Sequence, residues 1–102
     1  MRRGTTPTCT FTVDADLSAW HCYLTFQVGR SKLTKTPEDL IVTPVEGGSA
    51  VSCVLSQEET LAMKRGRAKV QLRAVNPQTA VAVATEIETF NIDDVLYEEV
   101  IE

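Results

Sequence analysis

The sequence has no basic residue after Arg73. All ten Lys and Arg stand at or before that position, and beyond it come seven carboxylates: Glu86, Glu88, Asp93, Asp94, Glu98, Glu99 and Glu102. A nucleic-acid binder needs a basic stripe to displace counterions from phosphate. Here the one basic cluster (Lys64, Arg65, Arg67, Lys69 and Arg73) adjoins an acidic end, which argues against nucleic acid as a partner. Long apolar runs are missing too. None approaches the roughly 18 residues that span a bilayer. Arg2 and Arg3 are not followed by the apolar stretch of a secretory signal. The sequence therefore points to no membrane partner and to folding in the cytoplasm.

Histidine is scarce: His21 stands alone, with three cysteines, Cys9, Cys22 and Cys53. These four contain no C-x-x-C and no H-x-x-x-H spacing, so no metal site is expected. Each cysteine falls among alternating apolar residues, as a small buried hydrophobe does, and the neighbouring His21 points to the other side of its strand. A disulfide between two of the three is geometrically open, but an odd count in a cytoplasmic chain speaks for free thiols. A single mid-strand histidine serves no Ser/His/Asp or Cys/His arrangement. The adjacent carboxylates Glu58-Glu59 and Asp93-Asp94 diverge in direction, and Glu58-Glu59 suit a helix start better than acid–base work. Nucleotide-binding and calcium-binding loop motifs are absent. No cofactor and no enzymatic activity are expected.

What the sequence does have is alternation. With 102 residues, 43% hydrophobic and 24% charged, it suits one globular domain with a single core. Strands are predicted over 8–14, 20–28, 31–36, 39–45, 49–56, 67–75 and 80–92, with turns at Gly29-Arg30, Glu46-Gly47-Gly48 and Asn76–Thr79. Lys32 and Lys35 mark 31–36 as an edge strand, and Pro44 marks 39–45 as an edge or a bulge. The parity change between Ile87 and Phe90 predicts a bulge near Thr89. About seven strands at this spacing predict an all-β, antiparallel Ig-like β-sandwich. Trp20, Leu24, Phe26, Val70 and Leu72 are its expected core. Residues 1–7 are expected to be a flexible arm, 8–92 the sandwich, and 93–102 an acidic amphipathic segment.

One stretch departs from the strand pattern. Ser56 and Glu59 form S-x-x-E, a capping box in which each side chain satisfies the other's free N–H. It predicts a short crossover helix over about 56–64 that carries the chain between sheets. Leu61 and Ala62 would plug one end of the core, and Gly66 would end the helix.

"LTFQVG" (24–29), "VLSQEETLAMKRGRAKVQLRAV" (54–75) and "ATEIETFNIDDVLYEEVI" (84–101) together resemble short phage and prophage proteins of Gram-positive bacteria. These are similar to the N-terminal β-sandwich domain of phage baseplate upper protein. The resemblance runs from about Thr10 to Ile101. It implies a structural protein associated with a tail or baseplate, made in the bacterial cytoplasm and carried in the virion. Baseplate upper protein continues into a fibre or coiled coil where this sequence stops, so the implied role is assembly or fibre attachment. The implied partners are other phage structural proteins or the chain itself, as a homo-oligomer.

In the final stretch, Val95, Leu96, Tyr97, Val100 and Ile101 stand among five carboxylates. That much aliphatic surface is costly in water, at about 25 cal/mol per Å². The segment is expected to dock on the Lys64, Arg65 and Arg67 surface of another copy, with folding back on its own sandwich as the alternative. A different reading, an Ig-like module for a small ligand or carbohydrate, would use exposed Tyr23 and Tyr97.

Overall fold

The computed structural model describes all of residues 1–102. Its centre is an antiparallel pair, β2 (His21–Val28) and β6 (Gly66–Val75), in register along all of β2 from His21↔Val75 to Val28↔Ala68. Alternation sends Cys22, Leu24 and Phe26 of β2, and Ala68, Val70, Leu72 and Ala74 of β6, to one face, where all are buried. β3 (Ser31–Lys35) pairs with the far side of β2. β7 (Ala82–Ala84) and β8 (Glu88–Ile92) share the far side of β6.

The facing sheet has three strands, in the order β1 (Thr8–Val13), β5 (Gly48–Val54) and β4 (Ile41–Val45). A single 3-10 turn (Pro37–Asp39) precedes β4, and α1 (Gln57–Ala62) crosses from β5 to β6. All strand pairs are antiparallel. Hairpins β2–β3, β4–β5 and β6–β7 alternate with crossings between sheets, giving the immunoglobulin-like arrangement of sheets DEB and C′CFG. No strand pairs on the outer edge of β1, where strand A of that fold would lie. β3 and β4 are edge strands, as Lys32, Lys35 and Pro44 predict.

Several expectations are corrected. The segment 80–92 is two strands. Ala84 pairs with Arg73 and Glu88 with Val70, so three residues (85–87) oppose two (71 and 72). The extra residue is a bulge, but at 85–87; Thr89 pairs regularly with Lys69. Thr85 fixes it. Its Oγ1 accepts from the Leu72 N–H (3.1 Å), its own N–H donates to the Leu72 carbonyl (2.9 Å), and its carbonyl accepts from Gln71 Nε2 (2.9 Å). The hairpin turn is longer than Asn76–Thr79. It closes through the Asn76 N–H to the Val81 carbonyl (2.9 Å), with Ala80 at a left-handed φ of 61°.

The helix is shorter than 56–64 and does not end at Gly66. Met63 already takes extended angles (φ −77°, ψ 132°), and Gly66, with φ 132°, opens β6 opposite Ile92. Three residues apart on the short helix side, Thr60 and Met63 are the ones buried, whereas Leu61 is half-buried and Ala62 exposed. The end plug is therefore Thr60 and Met63. The capping box itself forms: Ser56 Oγ accepts from the Glu59 N–H at 3.1 Å, and Glu59 Oε1 accepts from the Ser56 N–H at 2.9 Å. Trp20 is half-buried against the core rather than inside it.

Two features of the fold had no sequence expectation. Gly48 passes so close to β1 that a Cβ there would sit 1.9 Å from the Val13 carbonyl oxygen. Its neighbour Ser49 is fully buried. The hydroxyl accepts from the Leu17 N–H (2.9 Å) and donates to the Ala15 carbonyl (2.8 Å), which anchors the β1–β2 connection.

Leu72→Ala is expected to cost about 2–5 kcal/mol, since the buried leucine leaves a cavity between the two sheets; equilibrium urea unfolding measures it, and a loss under about 0.5 kcal/mol would contradict the packing. Ser56→Ala removes a cap bond and is expected to cost about 1 kcal/mol in the same titration.

Candidate interaction surface

The two ends of the chain meet. The Met1 ammonium donates to the Asn91 carbonyl at 2.9 Å, the Asp93 N–H donates to the Met1 carbonyl at 2.6 Å, and the Arg3 N–H donates to the Asp93 carbonyl at 3.0 Å. Arg2 and Asp93 thus form a short parallel bridge. Further on, the Leu55 N–H donates to the Pro7 carbonyl (3.1 Å), and Thr60 Oγ1 donates to the Thr5 carbonyl (2.9 Å). Residues 1–7, expected as a free arm, are bonded along their length.

Arg3 is the hub of this corner. Its Nη1 lies 2.8 Å from Asp94 Oδ1 and 2.6 Å from Glu98 Oε1, and its Nη2 donates to the Leu61 carbonyl at 2.7 Å. Donating to Glu98 and Asp94 raises the Arg3 pKa further, and accepting from Arg3 holds the Asp94 carboxyl below its usual value. Gly4 turns the chain here with φ 75°, and a Cβ on it would lie 3.3 Å from Leu61 Cδ2 and 3.8 Å from Val95 Cγ1. At the far end Gln57 acts like a backbone unit. Its Nε2 donates to the Ile101 carbonyl (2.9 Å) and its Oε1 accepts from the Ile101 N–H (2.8 Å).

The acidic segment 93–102 is thus held on its own sandwich, by Arg3 and Gln57. Lys64, Arg65 and Arg67, the cations expected to receive it, are exposed and make none of the three ion pairs. Only Arg65 is near enough to lower the Asp94 pKa, and then as the smallest contribution. Arg3 went unnoticed in the sequence because its acidic partners lie more than 90 residues away; the one available signal was a base with no neighbouring acid.

Holding the backbone does not bury the side chains. Val95 is half-buried, but Leu96 is fully exposed, and Tyr97, Ile101 and Val100 are 65%, 62% and 44% exposed. A second exposed apolar area lies on the tip of the β6–β7 hairpin. Residues 77–84 are all exposed, and Val81 and Val83 carry no charged neighbour in "AVAVA" (80–84). Unlike β3 and β4, the strand β7 itself has neither Lys nor Pro to discourage pairing.

Between the sheets two clefts remain. One, of about 340 Å³, runs along the open side between β1 and β8, with Phe11, Phe26 and Phe90 in its wall. These rings stack edge-on, with centroids 6.5 and 6.2 Å apart. The other, of about 280 Å³, opens between β3 and α1 and is walled by Phe26, Leu33 and Met63. The ion pair between Lys35 and Glu59 (2.7 Å) joins β3 to α1 near that opening. Burial works against the charged Glu59, but Lys35 and the Ser56 N–H keep its pKa below the ordinary value. His21 is exposed at the start of β2, and no group of three or more His, Cys, Asp or Glu side chains is placed to hold a metal ion. No helix is long and apolar enough to cross a membrane.

Because the Asp94 pKa is depressed, its hold on Arg3 is complete above about pH 4, the ordinary carboxylate value, and is lost as pH falls through the lowered pKa. Amide exchange in residues 94–101, taken relative to the intrinsic rate at each pH, is therefore expected to rise on acidification. At neutral pH, Arg3→Met is expected to raise it about fivefold, the effect of an exposed pair. Unchanged exchange in both experiments would show that Arg3 does not hold the segment.

No protein-family model matches this chain, and no curated protein sequence matches it either.

Proposed function

We propose that this chain is a non-enzymatic structural protein of a phage or prophage particle, associated with the tail or baseplate. It acts in assembly or fibre attachment through protein–protein contacts, with other particle proteins or further copies of itself. The resemblance of residues 10–101 to short phage proteins motivates the reading. The observation that carries it is the C-terminal segment: Arg3 holds it at the Asp93 carbonyl and the Asp94 and Glu98 carboxylates, and Gln57 at the Ile101 backbone, while Leu96, Tyr97, Val100 and Ile101 are exposed. Such a segment is preorganised, so a partner covers apolar surface without first having to order the chain. The exposed Lys64, Arg65 and Arg67 surface of a neighbouring copy suits the three carboxylates that Arg3 leaves unpaired, Asp93, Glu99 and Glu102, because opposite charges steer and orient contact. A head-to-tail contact of two unlike surfaces builds rings or filaments.

A second reading, a binding module for a small ligand or carbohydrate, draws on the cleft beside Phe11 and Phe90 and on the exposed Tyr23 and Tyr97. Aromatic faces of that kind suit sugars, and Arg2, Thr5, Thr10, Glu88 and Thr89 also line the cleft.

Light scattering across protein concentrations separates the readings. The full chain is expected to self-associate at low salt, and the chain lacking residues 95–102 to remain a folded monomer. A full-length monomer at high concentration and low salt would rule out self-docking. Tail genes on either side of the coding sequence would support the particle role, and metabolic genes there would count against it.

A further inference from the structure

Two of the three cysteines face each other. Cys9 of β1 is the register partner of Cys53 of β5, and both sulfurs lie on the inner side of the small sheet. The third, Cys22, is buried on β2 in the opposite sheet. The Leu55 N–H bonded to the Pro7 carbonyl marks 7 and 55 as a hydrogen-bonded pair in the same register, so 9 and 53 form another. Residues of that kind have Cα atoms about 5.5 Å apart, inside the range of about 4.4–6.8 Å that a disulfide spans.

We propose that Cys9 and Cys53 form a peroxide-reactive dithiol, oxidised reversibly to an intrachain disulfide. Access differs between the two thiols. Cys53 is 3% exposed, whereas Cys9 is half-buried and lines the 340 Å³ cleft beside Phe11 and Phe90. Cys9 is also the better nucleophile. Cys53 and, less strongly, the N-terminal ammonium lower its pKa to about 7 against a burial that raises it, which favours Cys9 over Cys53 as the attacking thiolate.

In the first step the Cys9 thiolate attacks one oxygen of a hydroperoxide. The O–O bond breaks, and the other oxygen leaves as hydroxide or alkoxide and takes up a proton. Cys9 becomes a sulfenic acid. The Cys53 sulfur then attacks the Cys9 sulfur and gives up its proton, and the sulfenic oxygen departs as water. The two thiols lose two electrons and two protons together, and one peroxide is reduced. Opposed Cβ atoms lie about 4.5–5.5 Å apart and a disulfide needs about 3.5–4.5 Å. In a hydrogen-bonded pair the wider value applies, so closure moves the strands by about 1–2 Å, which β1, free along its outer edge, accommodates. A bond closed in this way is readily reduced again.

The test treats the full chain with a small excess of hydrogen peroxide, then denatures it and counts thiols. Titratable thiols are expected to fall from three to one. Proteolysis of the oxidised full chain is expected to yield a peptide pair joined from Cys9 to Cys53, without chain dimers. Reduced glutathione restores all three thiols in the native chain. Cys53→Ala is expected to stop at one added oxygen on Cys9, and Cys9→Ser to keep its two remaining thiols. Three thiols surviving in the native chain, cross-linked dimers, or a Cys9–Cys22 linkage would overturn the assignment, and none of the three needs a variant to fold.

Discussion

The pairing of β2 with β6 is the constraint on which the rest depends. It is the longest ladder in the molecule, and its two strands supply seven of the thirteen buried apolar residues. Because side chains alternate strictly, the register of this one pair decides which face of the large sheet is core. A slip of β6 by one residue against β2 would send Val70 and Leu72 to water and turn Gln71 and Arg73 inward. Once that face is set, the three-stranded sheet has one place to pack, with Val51 and Cys53 of β5 against it.

The unequal width of the two sheets explains most of the surface chemistry. Three strands facing a broader sheet leave clefts at the sides, and the cleft beside β1 lies where the immunoglobulin arrangement would have another strand. The same unpaired edge gives β1 the freedom that the Cys9–Cys53 chemistry uses, and the cleft exposes one of the two thiols. At the end of the sandwich the chain termini do a comparable job. The N-terminal arm, α1 and the C-terminal segment converge on Arg3, so a part of the surface without regular secondary structure is still held by specific polar bonds.

Local pattern determined much of this protein. Alternation placed nearly every strand and gave the correct parity to the cysteines and His21, because a half-buried strand repeats every two residues whatever it pairs with. The S-x-x-E box announced α1, since a capping box closes within four residues. Lys32, Lys35 and Pro44 marked edge strands because edges tolerate what central strands reject. Tertiary structure decided the rest, wherever the deciding partner is distant in sequence. The bulge sits at 85–87 because Thr85 bonds to Leu72, and the helix buries Thr60 and Met63 because of where β5 and β6 stand. Arg3 and Asp94 are 91 positions apart, and Cys9 and Cys53 stand on strands that only the register of β1 with β5 brings face to face. Periodicity tells each residue which face it is on; only the folded register tells it which residue it meets.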